Sequence, residues 1–329
     1  MVDGLDSRTA QIYGPIVERL EQVEERLHGI SDVKTPFLPD LLDYVFRTQG
    51  KRVRPAITLL ASQFHPHDHD QPVTMATAVE LLHMATLIHD DTVDNSPLRR
   101  GKATVSDVWG KDVAVLLGDY VFATSATFVC DTENVRVIRR FSETIMQLSS
   151  GELLEFFNTN NWRQSRDDYN NRIYRKTASL FHTAAESGAI LSGAPEETVQ
   201  ALEGYGYNIG MAFQIVDDIL DVQGSAEEIG KPVGNDLLQG VLTLPTIMLL
   251  ERYPDGNPVK ELFARGRNGS GDQLKTVLEM IQNSEIIEDC YDVVGDHCRK
   301  AARSLESLDD IPARASLLML SEYIMERTH

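Results

Sequence analysis

The stretch "QPVTMATAVELLHMATLIHDDTVD", starting at Gln71, runs about six helical turns from Pro72 and holds many small and apolar residues. Such a segment predicts a buried helix, and a buried helix needs other elements to cover it. The rest of the chain supplies helices. In "YGPIVERLEQVEERLHGI", Ile16, Leu20, Val23 and Leu27 recur at spacings of three and four. "LLDYVFRTQG" reads as a helix ending near Gly50, and "RPAITLLASQF" opens with a proline suited to a first turn. Further helices are predicted at "KDVAVLLGDYVFATSATFVC", "NVRVIRRFSETIMQLSSGELLEFFN", "RDDYNNRIYRKTASLFHTAAESGAILSG" and "EETVQALEGYGYNIGMAFQIVDDILDVQG", and at four later segments out to "ARASLLMLSEYIMERTH". No segment alternates as several sheet strands would. The expectation is one all-α domain, residues 1–329, of roughly a dozen helices.

Composition limits the functions open to such a fold. The chain has 329 residues and is 42% hydrophobic, enough for a substantial core, and its formal net charge of -19 argues against nucleic acid as a partner. Three cysteines, Cys130, Cys290 and Cys298, make no disulfide scaffold and fit a reducing compartment. The first thirty residues carry no signal-peptide pattern, and no uninterrupted apolar run reaches the ~18 residues of a membrane span. A cytoplasmic location is expected.

The buried helix ends in "HDDTVDNSPLRRG". Asp90, Asp91 and Asp94 form D-D-x-x-D, and Asp217, Asp218 and Asp221 repeat it in "FQIVDDILD". On a helix the first and last aspartates of each set stack one above the other. Solvent-facing helix ends or caps account for isolated aspartates, but a cap needs one of them and not three. Crowded carboxylates repel, and divalent cations offset that repulsion; Mg2+ takes carboxylate oxygens together with substrate phosphates. Cations suited to phosphate accompany them: Lys51, Arg52 and Arg54 in "GKRVRP", Arg99 and Arg100 after the first motif, Lys176 in "KTASLF" and Lys231 in "GKPVGNDL". No P-loop, dinucleotide fingerprint or H-E-x-x-H zinc motif is present. His65, His67 and His69 in "FHPHDHD" read as a hydrated loop lacking a fourth ligand. His83 shares a helical stripe with Val79, Thr86 and Asp90, where a buried structural histidine and a substrate contact both fit.

"GKRVRP", "LIHDDTVDNSPLRRG", "GDYVFA", "KTASLF", "FQIVDDILD", "GKPVGNDL" and "TLP", in that order between about residue 50 and 245, resemble the trans-isoprenyl diphosphate synthases, or polyprenyl synthetases. The resemblance implies an isoprenoid synthase fold around a central cavity, a homodimer, and Mg2+-dependent condensation of isopentenyl diphosphate with an allylic diphosphate. It implies that Asp90, Asp91 and Asp94 bind two Mg2+ and Asp217 a third, with Asp218 and Asp221 around it. Arg99, Lys176 and Lys231 would then neutralise the leaving diphosphate. Thr177 and Gln214 would line the reacting isoprenoid, and Lys51, Arg54, His83 and Arg100 would bind isopentenyl diphosphate, with Arg52 in the same loop. Two departures stand out: Gln49-Gly50 replaces a double glycine, and Val241 in "GVLTLP" replaces a lysine.

Family members that stop early carry bulky aromatics just before the first motif, and here those positions are Ala85 and Thr86, with Leu82 and Val79 deeper. The resemblance therefore implies a product longer than farnesyl, with geranylgeranyl as the conservative limit and Phe122, Phe128 or Met146 as possible floor residues. A class I terpene cyclase shares the ionisation chemistry, but two full D-D-x-x-D motifs and the "GKRVRP" loop favour elongation. A non-catalytic subunit would lose metal ligands that this chain keeps. Dependence on a second, heteromeric subunit is compatible with the sequence.

Overall fold

The computed structural model describes residues 6–47, 50–66, 68, 70–99, 101–223, 233–265 and 271–326. Along the first third run α1 (Ser7–Tyr13), α2 (Val17–Gly29), α3 (Leu38–Phe46), α4 (Val53–Ala61) and α5 (Asp70–Val93). A hairpin of β1 (Leu98–Arg99) and antiparallel β2 (Lys102–Ala103) follows, then α6 (Val105–Trp109), α7 (Lys111–Asp131) and α8 (Val135–Phe157). The second half holds α9 (Arg166–Ile173), a π-turn at Tyr174–Ala178, α10 (Ser179–Leu191), α11 (Glu196–Gln223) and α12 (Asn235–Leu238). It closes with α13 (Leu244–Arg252), α14 (Pro258–Arg265), α15 (Gly271–Gln282), α16 (Ile286–Ser304) and α17 (Pro312–Glu326). The all-α expectation holds, and the hairpin is the one sheet among the described residues.

Contacts group the chain into two compact units. The first comprises Met1–Ser142, Leu180–Gly206 and Ser304–Leu320, the second Glu143–Ser179, Tyr207–Arg303 and Ser321–His329.

In the first unit α5 is the buried helix that the sequence predicts. Residues from Pro72 to Leu82 are all buried, and the polar ones have partners: Thr74 accepts from Arg26, Thr77 donates to the Val73 carbonyl and Glu80 pairs with Arg52. Burial gives way beyond Leu82: His83, Thr86, His89 and Asp90 are half-buried, and Asp94 is exposed. α2, α4 and α7 pack along α5. The buried positions of α7, Ala114, Leu117, Gly118, Val121, Ser125 and Val129, make one helical stripe. By length and composition alone α7 also qualifies as a membrane-crossing helix: its most apolar 18-residue window has a mean hydropathy of 1.7 and is 33% buried. Asp119 is the one charged residue from Val113 to Cys130, and Thr124, Ser125 and Thr127 also interrupt the apolar run.

In the second unit, Tyr169 and Ile173 of α9 are buried, as are Ile209, Ile215, Val216, Ile219 and Val222 of α11 and Cys290 and Val294 of α16. Ser165 starts α9 with a capping box, its side chain accepting from the Asp168 N–H while the Asp168 carboxylate accepts from the Ser165 N–H. That cap fixes Tyr169 in the first full turn. The segment from Arg166 to Gly193, expected as one helix, is divided by the π-turn, where the Ser179 N–H reaches back five residues to the Tyr174 carbonyl.

Candidate active site

The first carboxylate set lies where α5 emerges from its packing. Asp91 is buried and Asp90 half-buried, while Asp94 is exposed. The hairpin delivers Arg99 to this helix end, and its Nε donates to Asp91 Oδ1 at 2.8 Å and Oδ2 at 2.7 Å. Further bonds hold the hairpin in place. The Ser96 N–H donates to the Asp91 carbonyl at 3.0 Å, Thr104 Oγ1 to the Ser96 carbonyl at 2.7 Å, and Tyr44 Oη to the Ala103 carbonyl at 2.7 Å. Gly101, with φ +76°, occupies the left-handed region that the tight turn requires. Arg100, its neighbour in that turn, lies outside the described residues.

The basic loop before α4 divides its work. Arg52, left-handed at φ 50°, is buried; its Nε donates to Glu24 at 2.5 Å and its Nη1 to Glu80 at 2.6 Å. Burial opposes its charge, but Glu80 and Glu24 outweigh that and raise its pKa further. The structure thus places Arg52 in a core ion-pair network, whereas the sequence reading put it with the substrate-binding cations. Glu80 sits one turn before His83 on α5, so this network anchors the loop beside the turn that carries His83. Lys51 is exposed, and its carbonyl accepts from Tyr13 Oη at 2.6 Å. The Arg54 guanidinium lies 4.3 Å from the centre of the Phe181 ring. Val79, Leu82 and Ala85 are fully buried, and the Thr86 hydroxyl donates to the His83 carbonyl at 2.8 Å. Phe122 and Phe128 are half-buried, whereas Met146 points outward from α8.

The second carboxylate set divides its roles as well. Asp217 is half-buried. Asp218 is buried, accepting from Tyr169 Oη at 2.6 Å and from Gln214 Nε2 at 2.7 Å. Asp221 accepts from the N–H groups of Asn235 and Asp236, each at 3.2 Å, at the start of α12. Burial and the nearby Asp236 push Asp218 up to about 7 and Asp221 up to about 8, against the hydrogen bonds that favour their ionised forms. Lys231 and the loop around it lie outside the described residues, as do Gln49, His67 and His69. His65 bonds the Ser192 carbonyl at 2.8 Å through Nδ1.

The π-turn carries Lys176 and Thr177. In a regular helix Lys176, seven residues after Tyr169, would return to the Tyr169 face. The wider turn takes an extra residue, so Thr177 comes round instead, and its hydroxyl donates to Gln214 Oε1 at 2.5 Å. Lys176 is directed to α8, with Nζ 2.6 Å from Glu155 Oε1 and 3.0 Å from Glu152 Oε1. Burial works against the charge of Glu155, but Lys176 and Arg172 prevail and hold its carboxyl below the usual range. Gly151 makes this approach possible: a Cβ there would lie 2.8 Å from the Lys176 backbone nitrogen. Arg172 donates through Nη2 to the Leu242 carbonyl at 2.6 Å, beside the half-buried Val241. Tyr169, Glu152, Glu155 and Arg172 were not singled out from the sequence; each is many residues from the motif it serves, and nothing local marks it.

Carboxylates and cations held on an all-helical frame are suited to anionic, phosphate-bearing ligands. Residues 35–281 match the family model described as polyprenyl synthetase. A prenyl transferase of Synechocystis sp. is 34% identical over 325 residues, which cover 98% of this chain and 99% of that protein. Heptaprenyl diphosphate synthase component 2 of Bacillus subtilis is 34% identical over 98% of this chain and 92% of its own length. The crystal structure of a Caulobacter crescentus polyprenyl synthase, complexed with calcium and isoprenyl diphosphate, matches with a TM-score of 0.92 at 29% identity, covering 98% of each chain. The chain belongs to the polyprenyl synthetase family of prenyltransferases, and its fold is the isoprenoid synthase fold.

Proposed function

We propose that the protein condenses isopentenyl diphosphate with a geranyl, farnesyl or geranylgeranyl diphosphate primer to make an all-trans polyprenyl diphosphate longer than farnesyl. The observation that carries this reading is the end of α5, where buried small and aliphatic residues give way within two turns to Asp90, Asp91 and Asp94. A greasy helix leading into a carboxylate cluster suits a substrate with a hydrocarbon tail and a diphosphate head. The whole chain, residues 1–329, would act as one catalytic domain.

The donor atoms fit Mg2+, since they are carboxylate oxygens with no thiolate among them. Asp90, Asp91, Asp94 and Asp217 would hold three ions, with Asp218 and Asp221 as hydrogen-bonded support. When bound, the metal supplies positive charge against the diphosphate. Arg99, Lys176 and Lys231 neutralise the leaving diphosphate as the allylic C–O bond breaks. Lys51, Arg54, His83 and Arg100 hold isopentenyl diphosphate so that its terminal alkene carbon bonds to the allylic C1. Loss of a proton to the released diphosphate then restores a trans alkene. Asp91 and Lys176 already have partners in Arg99 and the α8 glutamates, so ligand binding exchanges existing ion pairs for new ones.

A homodimer suits α8, whose outward side carries Val135, Met146, Leu153, Phe156 and Phe157, all exposed. A second subunit of different sequence would use the same face, and the relative named as a component favours testing for one. The assembly would act in the cytoplasm. Asp90→Ala and Asp217→Ala test the metal assignment: each should lower turnover at least about a hundredfold, the scale for removing a key electrostatic group. Full activity of both at ordinary Mg2+ concentration would contradict it.

A further inference from the structure

We propose that Tyr169 is a positioning residue that holds Thr177 in its orientation through Asp218 and Gln214. The four side chains form one chain of short bonds: Tyr169 Oη to Asp218 Oδ2 at 2.6 Å, Gln214 Nε2 to Asp218 Oδ1 at 2.7 Å, and Thr177 Oγ1 to Gln214 Oε1 at 2.5 Å. Tyr169 is fully buried, and its hydroxyl must place its proton on an acceptor. Asp218 is that acceptor. Its other oxygen faces Gln214, and a carboxylate that receives Tyr169 on one oxygen and an amide on the other has both partners donating. Gln214 must therefore turn its NH2 towards Asp218 and its carbonyl towards Thr177. Thr177 in turn commits its proton to Gln214, so its lone pairs face away from the chain.

The consequence rests on the proposed function, in which Thr177 lines the allylic group. A hydroxyl whose proton is held elsewhere presents its negative end to positive charge developing at the allylic carbon. The π-turn makes this possible by bringing Thr177 to the Tyr169 face. Tyr169 touches neither substrate nor metal; it acts only by holding Asp218 Oδ2, which keeps Oδ1 aimed at the Gln214 amide and so keeps Gln214 under Thr177.

The test is steady-state and single-turnover product formation by the full chain with Mg2+, isopentenyl diphosphate and farnesyl diphosphate. Tyr169→Phe should lower kcat ~10- to 100-fold, the range for losing a group that orients a contacting residue. KM for both substrates and the Mg2+ concentration for half-maximal rate should stay within about twofold. In single turnover, Tyr169→Phe should slow the Thr177→Val variant by no more than about twofold, because the two changes act through one chain. A kcat equal to wild type in Tyr169→Phe, or a full multiplicative loss in the double variant, overturns the proposal. Where melting curves show Tyr169→Phe unfolded, Asp218→Asn takes its place. It keeps an acceptor for Tyr169 but offers Gln214 a donor, reversing the amide, and the same kcat loss and non-additivity with Thr177→Val are expected. Wild-type protein that forms no product with any primer contradicts the proposed function itself, an outcome separate from a wild-type ladder left unchanged by Tyr169→Phe.

Discussion

The His89 ring occupies the space that a side chain at Gly118 would need: a Cβ there would lie 2.2 Å from His89 Nε2. His89 directly precedes Asp90, and its Nε2 lies 3.3 Å from the Val115 carbonyl and 3.4 Å from Asp119. One glycine thus lets α7 approach the helix end that carries the first carboxylate set. Gly118→Ala should displace the half-buried ring and break its contacts with Val115 and Asp119, offsetting part of the ~0.5–1 kcal/mol gained in helix propensity. Thermal melting should show a larger rise in midpoint on Gly118→Ala in a His89→Ala background than in the wild-type background. Equal shifts in both backgrounds would contradict this relationship.

Arg52 supplies a second stability prediction. Arg52→Ala would leave Glu80 buried beside Glu24 with no cation between them. Breaking a buried pair by removing one partner costs ~3–5 kcal/mol. Chemical denaturation should show a loss of that size, and a loss below ~1 kcal/mol would mean that the network does not anchor the loop.

Much of this arrangement is legible in the sequence. The burial of α5 follows from its many small and apolar residues; the second carboxylate set lies on α11 and the first at the end of α5, with Asp94 one residue past it. Other parts are invisible there for physical reasons. A hairpin with two residues per strand is too short to show alternation, so Arg99 reads as a basic pair in a loop. The π-turn changes hydrogen-bond register without changing composition, and a single helix is what the apolar spacing predicts across it. Tyr169 lies 49 residues from its partner Asp218, and Arg52 lies 28 from each of Glu24 and Glu80. Partnerships of that kind come from tertiary packing, and they turned Arg52 from an expected ligand contact into a core residue.

Acid should weaken the second unit through His297. Its Nδ1 lies 3.0 Å from Asn208 Oδ1, and burial, aided by Lys300 and opposed by Asp296, brings its pKa down to about 4. The folded form holds the ring neutral while the unfolded chain takes up a proton below about 6.5. Its contribution is therefore complete above about pH 6.5 and is lost as pH falls towards 4. Denaturation midpoints at pH 7.5 and 5 should differ less in His297→Gln than in wild type. An identical pH dependence would remove His297 from the account.

Ala85 is fully buried on the helix that ends in the first carboxylate set. Ala85→Phe should shorten the main product, since one helical turn of about 5.4 Å is the scale of one isoprene unit. Chromatography of the dephosphorylated products reads the change directly. An unchanged distribution from folded variant protein would mean that Ala85 does not border the growing tail.

A product assay on the purified protein decides whether this chain elongates an allylic diphosphate. Isopentenyl diphosphate and Mg2+ would be supplied with geranyl, farnesyl or geranylgeranyl diphosphate in separate reactions, and mass analysis would count the added five-carbon units. A ladder ending in one dominant all-trans product longer than farnesyl is the predicted result. Absence of isopentenyl incorporation with every primer, from folded protein, would contradict elongation by this chain alone.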